Sequence, residues 1–220
     1  MTALKETESI EFRGPAGRIE GIVNQPAERG LIRGAAVICH AHPLHGGMMH
    51  FKVIFRAAKA LQSQGFAVLR FNFRGVGVSE GSHDHGIGEQ ADTKAAIDEA
   101  ERRWPSLPLV LGGFSFGAAM ASLVAVDEPR VRAALLLGFP ITRVASTDHL
   151  SRIRQPRLFV QGSRDEFGSG DDLLRLTAPL PEPKRVVVIE GADHFFTGRL
   201  DDLQTPIERW AGERPWEATQ

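Results

Sequence analysis

The sequence predicts an α/β fold: a doubly wound, mostly parallel sheet of about eight strands, covered by helices on both faces. Two observations lead to this class. Strand-like and helix-like segments alternate along most of the 220 residues, as in βαβ units with right-handed crossovers. Several strand segments are apolar on both faces, as buried parallel strands are. The length suits one compact domain, predicted to span residues 1–220.

Composition narrows the class of protein. The chain has 26 Lys and Arg against 27 Asp and Glu, and it lacks the basic stripe of a nucleic-acid binder. Its one cysteine, Cys39, excludes an internal disulfide. The charged start MTALKETESI is unlike a signal peptide, and no apolar run reaches the roughly 20 residues of a membrane span. We expect a cytoplasmic protein without nucleic-acid or membrane partners; the sequence leaves its oligomeric state open.

The N-terminal half supplies the first four strands. EFRG and GRIEGIVNQP predict a half-exposed antiparallel hairpin at a sheet edge, and AAVICHA a buried strand ending at His40. Apolar residues at helical spacing predict a helix over residues 51–64, closed by Gly65. FAVLRFNF is the next strand. The glycine-rich loop RGVGVSEG follows it, and a helix over residues 88–103 ends before Trp104-Pro105.

The C-terminal half supplies four more strands. LPLVLGGF leads directly into a helix, GAAMASLVAV. VRAALLLGF, PRLFVQG and KRVVVIEG predict strands of near-continuous apolar content, and a last helix is predicted over residues 197–210. About six helices fit the length. The connection from Gly138 to Arg157 is too short for a cap domain, so none is expected.

The sequence G-x-S-x-G occurs at residues 113–117 and predicts Ser115 as a nucleophile. This pattern puts a serine on a tight strand-to-helix turn, with its hydroxyl above the sheet, and side chains in place of the glycines would collide with backbone. A second copy at residues 77–81 contains Ser79. Ser79 lies beyond the end of its strand and precedes a polar run, so it is interpreted as a loop cap.

A serine nucleophile needs a base, and the base needs an orienting acid. His194 follows the strand RVVVIE, at the sheet edge where reactive groups of α/β folds collect. His149 precedes a strand and so lies at the opposite edge. Asp165 follows RLFVQG and is preferred as the acid over Glu166 and Asp193. The chain order Ser, Asp, His matches this kind of site.

The loop after AAVIC is expected to help bind an oxyanion. One donor is the backbone N–H of Phe116, and the other is that of His42, since Pro43 has none. The histidines of this loop, with His83-Asp84-His85, raise the alternative of a zinc site. A tight turn at the rim of the site explains them without metal, so neither metal nor cofactor is expected. Cys39, inside a buried strand, is interpreted as a packing residue.

With these residues in place, the chain resembles the α/β-hydrolase superfamily over essentially its full length. Within it, the chain is similar to a small capless bacterial group related to dienelactone hydrolases. CHAHPLHGGMMHFKV resembles that group's H-P-H-P-x-x-G-G-x-M loop, with Ala41 where proline is usual; FNFRGVGVSEG, GFSFG, GSRDEF and GADHFF follow in order. The resemblance implies the triad Ser115, Asp165 and His194. True dienelactone hydrolases have cysteine at the elbow, so that activity is not implied.

The missing cap suggests an open site for small or short-acyl esters. Aromatic side chains near strand ends are candidates for an apolar acyl pocket, with core packing as the alternative: Phe114, Phe139, Phe167 and Phe195, together with Phe116. The leading hypothesis is a carboxylic ester hydrolase acting on a small-molecule ester. The alternatives are a thioesterase, lactonase or small-peptide hydrolase with the same triad, and a non-catalytic binding protein on this scaffold.

Overall fold

The computed structural model describes residues 7–26, 32–214 and 216–217. The remaining residues of the predicted 1–220 domain lie outside that description, among them most of the charged start of the chain. The described residues form eight strands and five α-helices, and all eight strands belong to one sheet. None of the described helices is both long and apolar enough to cross a membrane.

The elements alternate as the sequence predicts. The strands are β1 Thr7–Gly14, β2 Gly17–Asn24, β3 Gly34–Cys39, β4 Phe66–Phe71, β5 Leu109–Phe114, β6 Val131–Leu137, β7 Arg157–Gly162 and β8 Lys184–Ile189. The helices are α1 Lys52–Ser63, α2 Ile87–Arg103, α3 Phe116–Asp127, α4 Gly170–Thr177 and α5 Leu200–Glu213. Short 3-10 turns occupy the connection from β6 to β7, where a cap domain would be inserted.

The strand order is β1-β2-β4-β3-β5-β6-β7-β8. The β1–β2 hairpin is antiparallel and pairs antiparallel with β4, and the strands from β4 to β8 run parallel. Helices α1 and α5 contribute to the hydrophobic core on one face of the sheet, and α2, α3 and α4 to the core on the other. The doubly wound, mostly parallel sheet without a cap is confirmed.

Three details differ from the prediction. Five helices form among the described residues instead of six. Helix α5 begins later than predicted because the loop after β8 continues through Phe196 and Gly198, both at positive φ, and is closed by the Thr197 N–H on Asp193 Oδ1 at 2.8 Å. Strand β8 is only half-buried, because it is the last strand of the sheet and, among the described residues, has a neighbouring strand on one side only.

Candidate active site

Ser115 is the single residue between β5 and α3. Its backbone has φ 56° and ψ −122°, a region in which the Cβ of an L-residue is crowded. Such conformations cost about 1–3 kcal/mol and persist only where the surrounding structure enforces them. Strand, turn and helix are contiguous here, as the sequence predicts for residues 113–117.

Two glycines make this turn possible. A Cβ on Gly113 would lie 2.3 Å from the carbonyl carbon of Gly117. A Cβ on Gly117 would lie 2.3 Å from the carbonyl oxygen of Cys39. The predicted collision of any side chain with backbone at these two positions is confirmed. The second contact also packs the start of α3 directly against the end of β3.

The side chains of Ser115, His194 and Asp165 form one hydrogen-bonded row. The Ser115 hydroxyl lies 2.9 Å from His194 Nε2, and His194 Nδ1 lies 2.8 Å from Asp165 Oδ2. A carboxylate only accepts, so Nδ1 carries the proton and Nε2 is free to accept the serine hydroxyl. All three side chains are almost fully buried. The structure therefore brings together three groups that lie up to 79 residues apart in sequence.

The carboxylate of Asp165 is held from both sides. Its Oδ1 accepts the N–H of Phe167 at 2.8 Å, and its Oδ2 accepts a hydrogen bond from Gln161 Nε2 at 2.8 Å as well as the one from His194. The neighbouring Glu166 is exposed. Asp193 accepts instead from its own loop. Asp165 is thus the acid that meets the imidazole.

Gln161 is a site residue that the sequence analysis does not identify. It is fully buried near the end of β7, and its Oε1 accepts the N–H of Phe139 at 2.9 Å. Its Nε2 also donates to the carbonyl of Gly168 at 2.7 Å. The available signal was one polar residue inside an apolar strand, four positions before Asp165. A buried amide needs partners, and here Asp165 is one of them.

The two predicted oxyanion donors lie on segments that meet. Phe116 is the first residue of α3, so its N–H has no acceptor within the helix. His42 opens a tight turn in which its carbonyl accepts the N–H of Gly47 at 3.1 Å and its Nδ1 accepts that of Leu44 at 3.2 Å. The rings of His42 and Phe116 are 5.0 Å apart. The residues are neighbours, and their role as oxyanion donors stays a prediction.

His40 anchors the loop that carries His42. Its Nε2 accepts the backbone N–H of Phe73 at 3.1 Å, and its Nδ1 donates to the carbonyl of Ala41 at 2.6 Å. Burial lowers the pKa of His40 to about 4, although the bond to Ala41 works in the opposite direction. The ring is therefore neutral near pH 7. It ties the end of β3 to the segment that follows β4.

His42, His45 and His83 form a cluster of neighbouring rings at this edge, in which His42 and His45 are stacked. The ring of His42 lies 4.5 Å from that of His45 and 4.9 Å from that of His83. His83 Nδ1 is 2.8 Å from Oε1 of the buried Glu89, which accepts the N–H groups of Asp84 and Gly86. Within the described ranges, no set of three or more His, Cys, Asp or Glu side chains is arranged to hold a metal ion.

The four predicted pocket aromatics divide into two pairs. The rings of Phe167 and Phe195 lie 4.6 and 5.1 Å from the ring of His194 and are partly exposed. Phe114 and Phe139 have no exposed surface. Their predicted place in an acyl pocket is corrected to the core alternative, because a fully covered side chain offers a ligand nothing to contact. The ring of Phe114 lies 4.8 Å from the imidazole of His194.

Ser79 and Cys39 have structural surroundings. The buried Ser79 hydroxyl donates to the carbonyl of Asn72 at 2.8 Å and accepts the N–H of Glu20 at 3.1 Å, which fixes the glycine-rich loop. Burial raises the pKa of the Cys39 thiol to about 12, although its hydrogen bond with Thr93 works in the opposite direction. A thiol that stays protonated is a poor nucleophile. His149 hydrogen-bonds with Ser122 of α3 at 2.8 Å.

Comparison with known proteins agrees with this architecture. A family model described as an alpha/beta hydrolase domain matches residues 34–211. An uncharacterised protein of Rickettsia prowazekii is 35% identical over 207 residues, which cover 90% of this chain and 86% of that protein.

Two solved structures are similar over nearly the whole chain. A serine hydrolase homologue of Coxiella burnetii has a TM-score of 0.86 at 36% identity, covering 94% of this chain and 99% of that one. A serine hydrolase without lid from Xanthomonas campestris has a TM-score of 0.86 at 32% identity, covering 97% and 96%. The chain belongs to the α/β-hydrolase family.

Proposed function

We propose that this protein hydrolyses small or short-acyl carboxylic esters through an acyl-enzyme formed on Ser115. The observation that carries the proposal is the row of two hydrogen bonds, 2.9 Å from Ser115 to His194 and 2.8 Å from His194 to Asp165. A serine hydroxyl is weakly nucleophilic until a positioned base takes its proton. The structurally similar serine hydrolases of Coxiella and Xanthomonas support the same class of chemistry.

Acylation begins with attack of the Ser115 Oγ on the ester carbonyl carbon. The hydroxyl proton passes to His194 Nε2, and the carbonyl oxygen becomes an oxyanion. The carboxylate of Asp165 stabilises the imidazolium through its bond to Nδ1. When the C–O bond to the alcohol breaks, His194 returns the proton to the leaving oxygen, and the acyl group remains bonded to Ser115.

Deacylation repeats these steps with water. His194 takes a proton from a water molecule, whose oxygen attacks the acyl carbon. The tetrahedral species then expels the Ser115 oxygen, which regains its proton from His194, and the carboxylic acid leaves. Both half-reactions use one base, and Gln161 and Phe167 fix the acid that orients it.

The N–H groups of Phe116 and His42 are proposed as the oxyanion donors. Donors fixed before the reaction stabilise charge as it develops, and losing one costs about 3–4 kcal/mol in known cases. The contact of Gly117 with Cys39 keeps α3 against the end of β3, and His40 holds the following loop in place. The segments that bear the two donors are therefore braced against each other.

The proposed restriction to small esters rests on the exposed rim of the site. The connection from β6 to β7, residues 138–156, contains only short 3-10 turns. No structural element in that connection is long enough to enclose a large hydrophobic chain, as a lid does. We therefore propose that small substrates reach the almost fully buried Ser115 and His194 side chains across this uncapped edge of the sheet.

The test is covalent labelling with a fluorophosphonate, followed by peptide mapping. We expect the label on Ser115 and hydrolysis of p-nitrophenyl acetate that falls about 10⁴-fold or more in Ser115→Ala. Ser79→Ala is the control, since that serine belongs to the second G-x-S-x-G copy and should leave labelling intact. A label on another residue contradicts the proposal and indicates a different nucleophile. No label on folded protein contradicts it as well and favours a binding protein on this scaffold. Thioester, lactone and peptide substrates assayed in parallel identify the bond that is cleaved fastest.

A further inference from the structure

A cleft of about 480 Å³ is lined in part by residues that directly follow His194 in the chain. Its volume falls within the range of about 300–1,000 Å³ found for small-molecule sites. The cleft lies between residues 46–52, which follow the turn at His42, and residues 195–200, which follow His194. Its apolar lining includes Met48, Phe51, Phe195 and Leu200.

An aromatic wall connects this cleft to the imidazole. The ring of Phe195 lies 5.1 Å from that of His194, and the ring of Phe51 lies 5.9 Å from that of Phe195. Phe51 also stacks on Phe114 at 5.8 Å, and Phe114 lies 4.8 Å from His194. The opposite side comes from the loop proposed to carry an oxyanion donor. The cleft therefore lies next to an aromatic side chain that contacts the His194 imidazole.

The exposure of the lining indicates what the cleft binds. Phe195 is 46% exposed and Met48 is 42% exposed. Large apolar side chains exposed together in a concave surface mark binding sites. The lining contains no carboxylate and has His50 and Lys52 as its basic members. These features favour an apolar group and disfavour a cationic one.

We propose that this cleft binds the acyl group of the ester and selects short alkyl or aryl acyl chains, with Phe51 and Phe195 as the specificity-determining residues. This inference rests on the proposed ester hydrolysis. The acyl group stays bonded to Ser115 through both half-reactions, so a subsite for it contributes binding energy to each transition state. The alcohol, in contrast, has to leave after the first step, and water has to enter.

The inference is tested with p-nitrophenyl acetate and p-nitrophenyl hexanoate. Each buried methylene should raise kcat/KM about fourfold, so the wild type should prefer the hexanoate. Phe195→Ala should lower the hexanoate-to-acetate ratio about tenfold. Thr197→Trp, which adds bulk at the exposed rim of the cleft, should lower the ratio as well. Phe55→Ala is the matched control, because Phe55 is 49% exposed and lies outside the cleft.

A binding measurement separates this inference from the proposed function. In ¹H–¹⁵N spectra of Ser115→Ala, sodium hexanoate should shift residues 46–52 and 195–200 saturably, and sodium acetate should shift them far less. Unchanged ester ratios in both cleft variants, or hexanoate shifts located elsewhere, overturn the cleft assignment even if esters are hydrolysed. Absence of hydrolysis and of labelling at Ser115 overturns the function, and the hexanoate titration still tests the cleft.

Discussion

Gln161 Nε2 and His194 Nδ1 both donate to the same oxygen of Asp165, each at 2.8 Å. The glutamine thereby helps to fix the carboxylate oxygen that the imidazole contacts. Its other bonds, to the backbone of Phe139 and Gly168, link the ends of β6 and β7 to the acid. In the proposed mechanism Gln161 is therefore a positioning residue, which acts through Asp165.

Replacing Gln161 by alanine should lower kcat about 10- to 100-fold with little change in KM, because small misplacements of a catalytic group slow the chemical step more than binding. The unpaired backbone groups should also cost about 1–3 kcal/mol of unfolding free energy. Steady-state kinetics and urea unfolding measure the two effects. Gln155→Ala is the control, since Gln155 Nε2 donates to Ala125, away from the triad. An unchanged kcat in Gln161→Ala would show that Asp165 needs no such support.

Replacing Ser115 by glycine should abolish activity and raise stability by about 1 kcal/mol. Glycine adopts φ 56° without steric cost, and relief of a strain of about 1–3 kcal/mol outweighs the greater freedom of glycine in the unfolded chain. Ser115→Ala is the comparison, because alanine removes the hydroxyl and keeps the strain. Equal urea midpoints for the two variants would mean that the relief of strain does no more than offset the greater freedom of glycine in the unfolded chain.

Replacing Gly117 by alanine should destabilise the protein by about 3 kcal/mol or more, since the new methyl group would meet the backbone of Cys39 at 2.3 Å. Gly212→Ala in α5 provides the matched control. Its methyl group would meet only the end of the Gln64 side chain, and alanine favours a helix over glycine by about 1 kcal/mol. Thermal or urea unfolding should show that Gly117→Ala lowers the free energy of unfolding and that Gly212→Ala raises it. If Gly117→Ala leaves the free energy of unfolding unchanged, α3 can move away from β3.

The neutral ring of His40 should make stability depend on pH. In the folded chain its pKa is about 4, below the ordinary value of 6.5. Between these values the unfolded chain binds a proton that the folded chain does not, so stability is complete above pH 6.5 and falls as the pH drops towards 4. The free energy of unfolding should fall by about 3 kcal/mol over this pH range. It can be followed by urea unfolding at several pH values.

His40→Gln should lack this part of the pH dependence, because glutamine does not titrate. The exposed His50→Gln is the control and should follow the wild type. If the wild type and His40→Gln lose stability in parallel between pH 6.5 and 4, the buried His40 ring does not cause the pH dependence of stability.

The placement of the triad was predictable because each member obeys a local rule. Residues 113–117 need their glycines for the turn itself, and Asp165 and His194 follow recognisable strands. Gln161 was not predicted, because its partners, Phe139 and Gly168, come from loops that the sequence does not reveal as neighbours. The half-burial of β8 was also missed, since edge position depends on strand order and not on the composition of the strand. Phe114 and Phe139 resemble pocket residues in sequence, and only packing shows that they are covered.

The exposed edge position of β8 has a consequence for inactivation. The loop after this strand carries His194, yet among the described residues β8 pairs only with β7 and is the least buried of the six parallel strands. Segments with little buried surface detach at lower free energy than the body of a protein. A low concentration of denaturant should therefore detach β8 and abolish ester hydrolysis, while circular dichroism still shows an intact sheet. If ester hydrolysis and the circular dichroism signal are lost at the same denaturant concentration, β8 unfolds only together with the rest of the sheet.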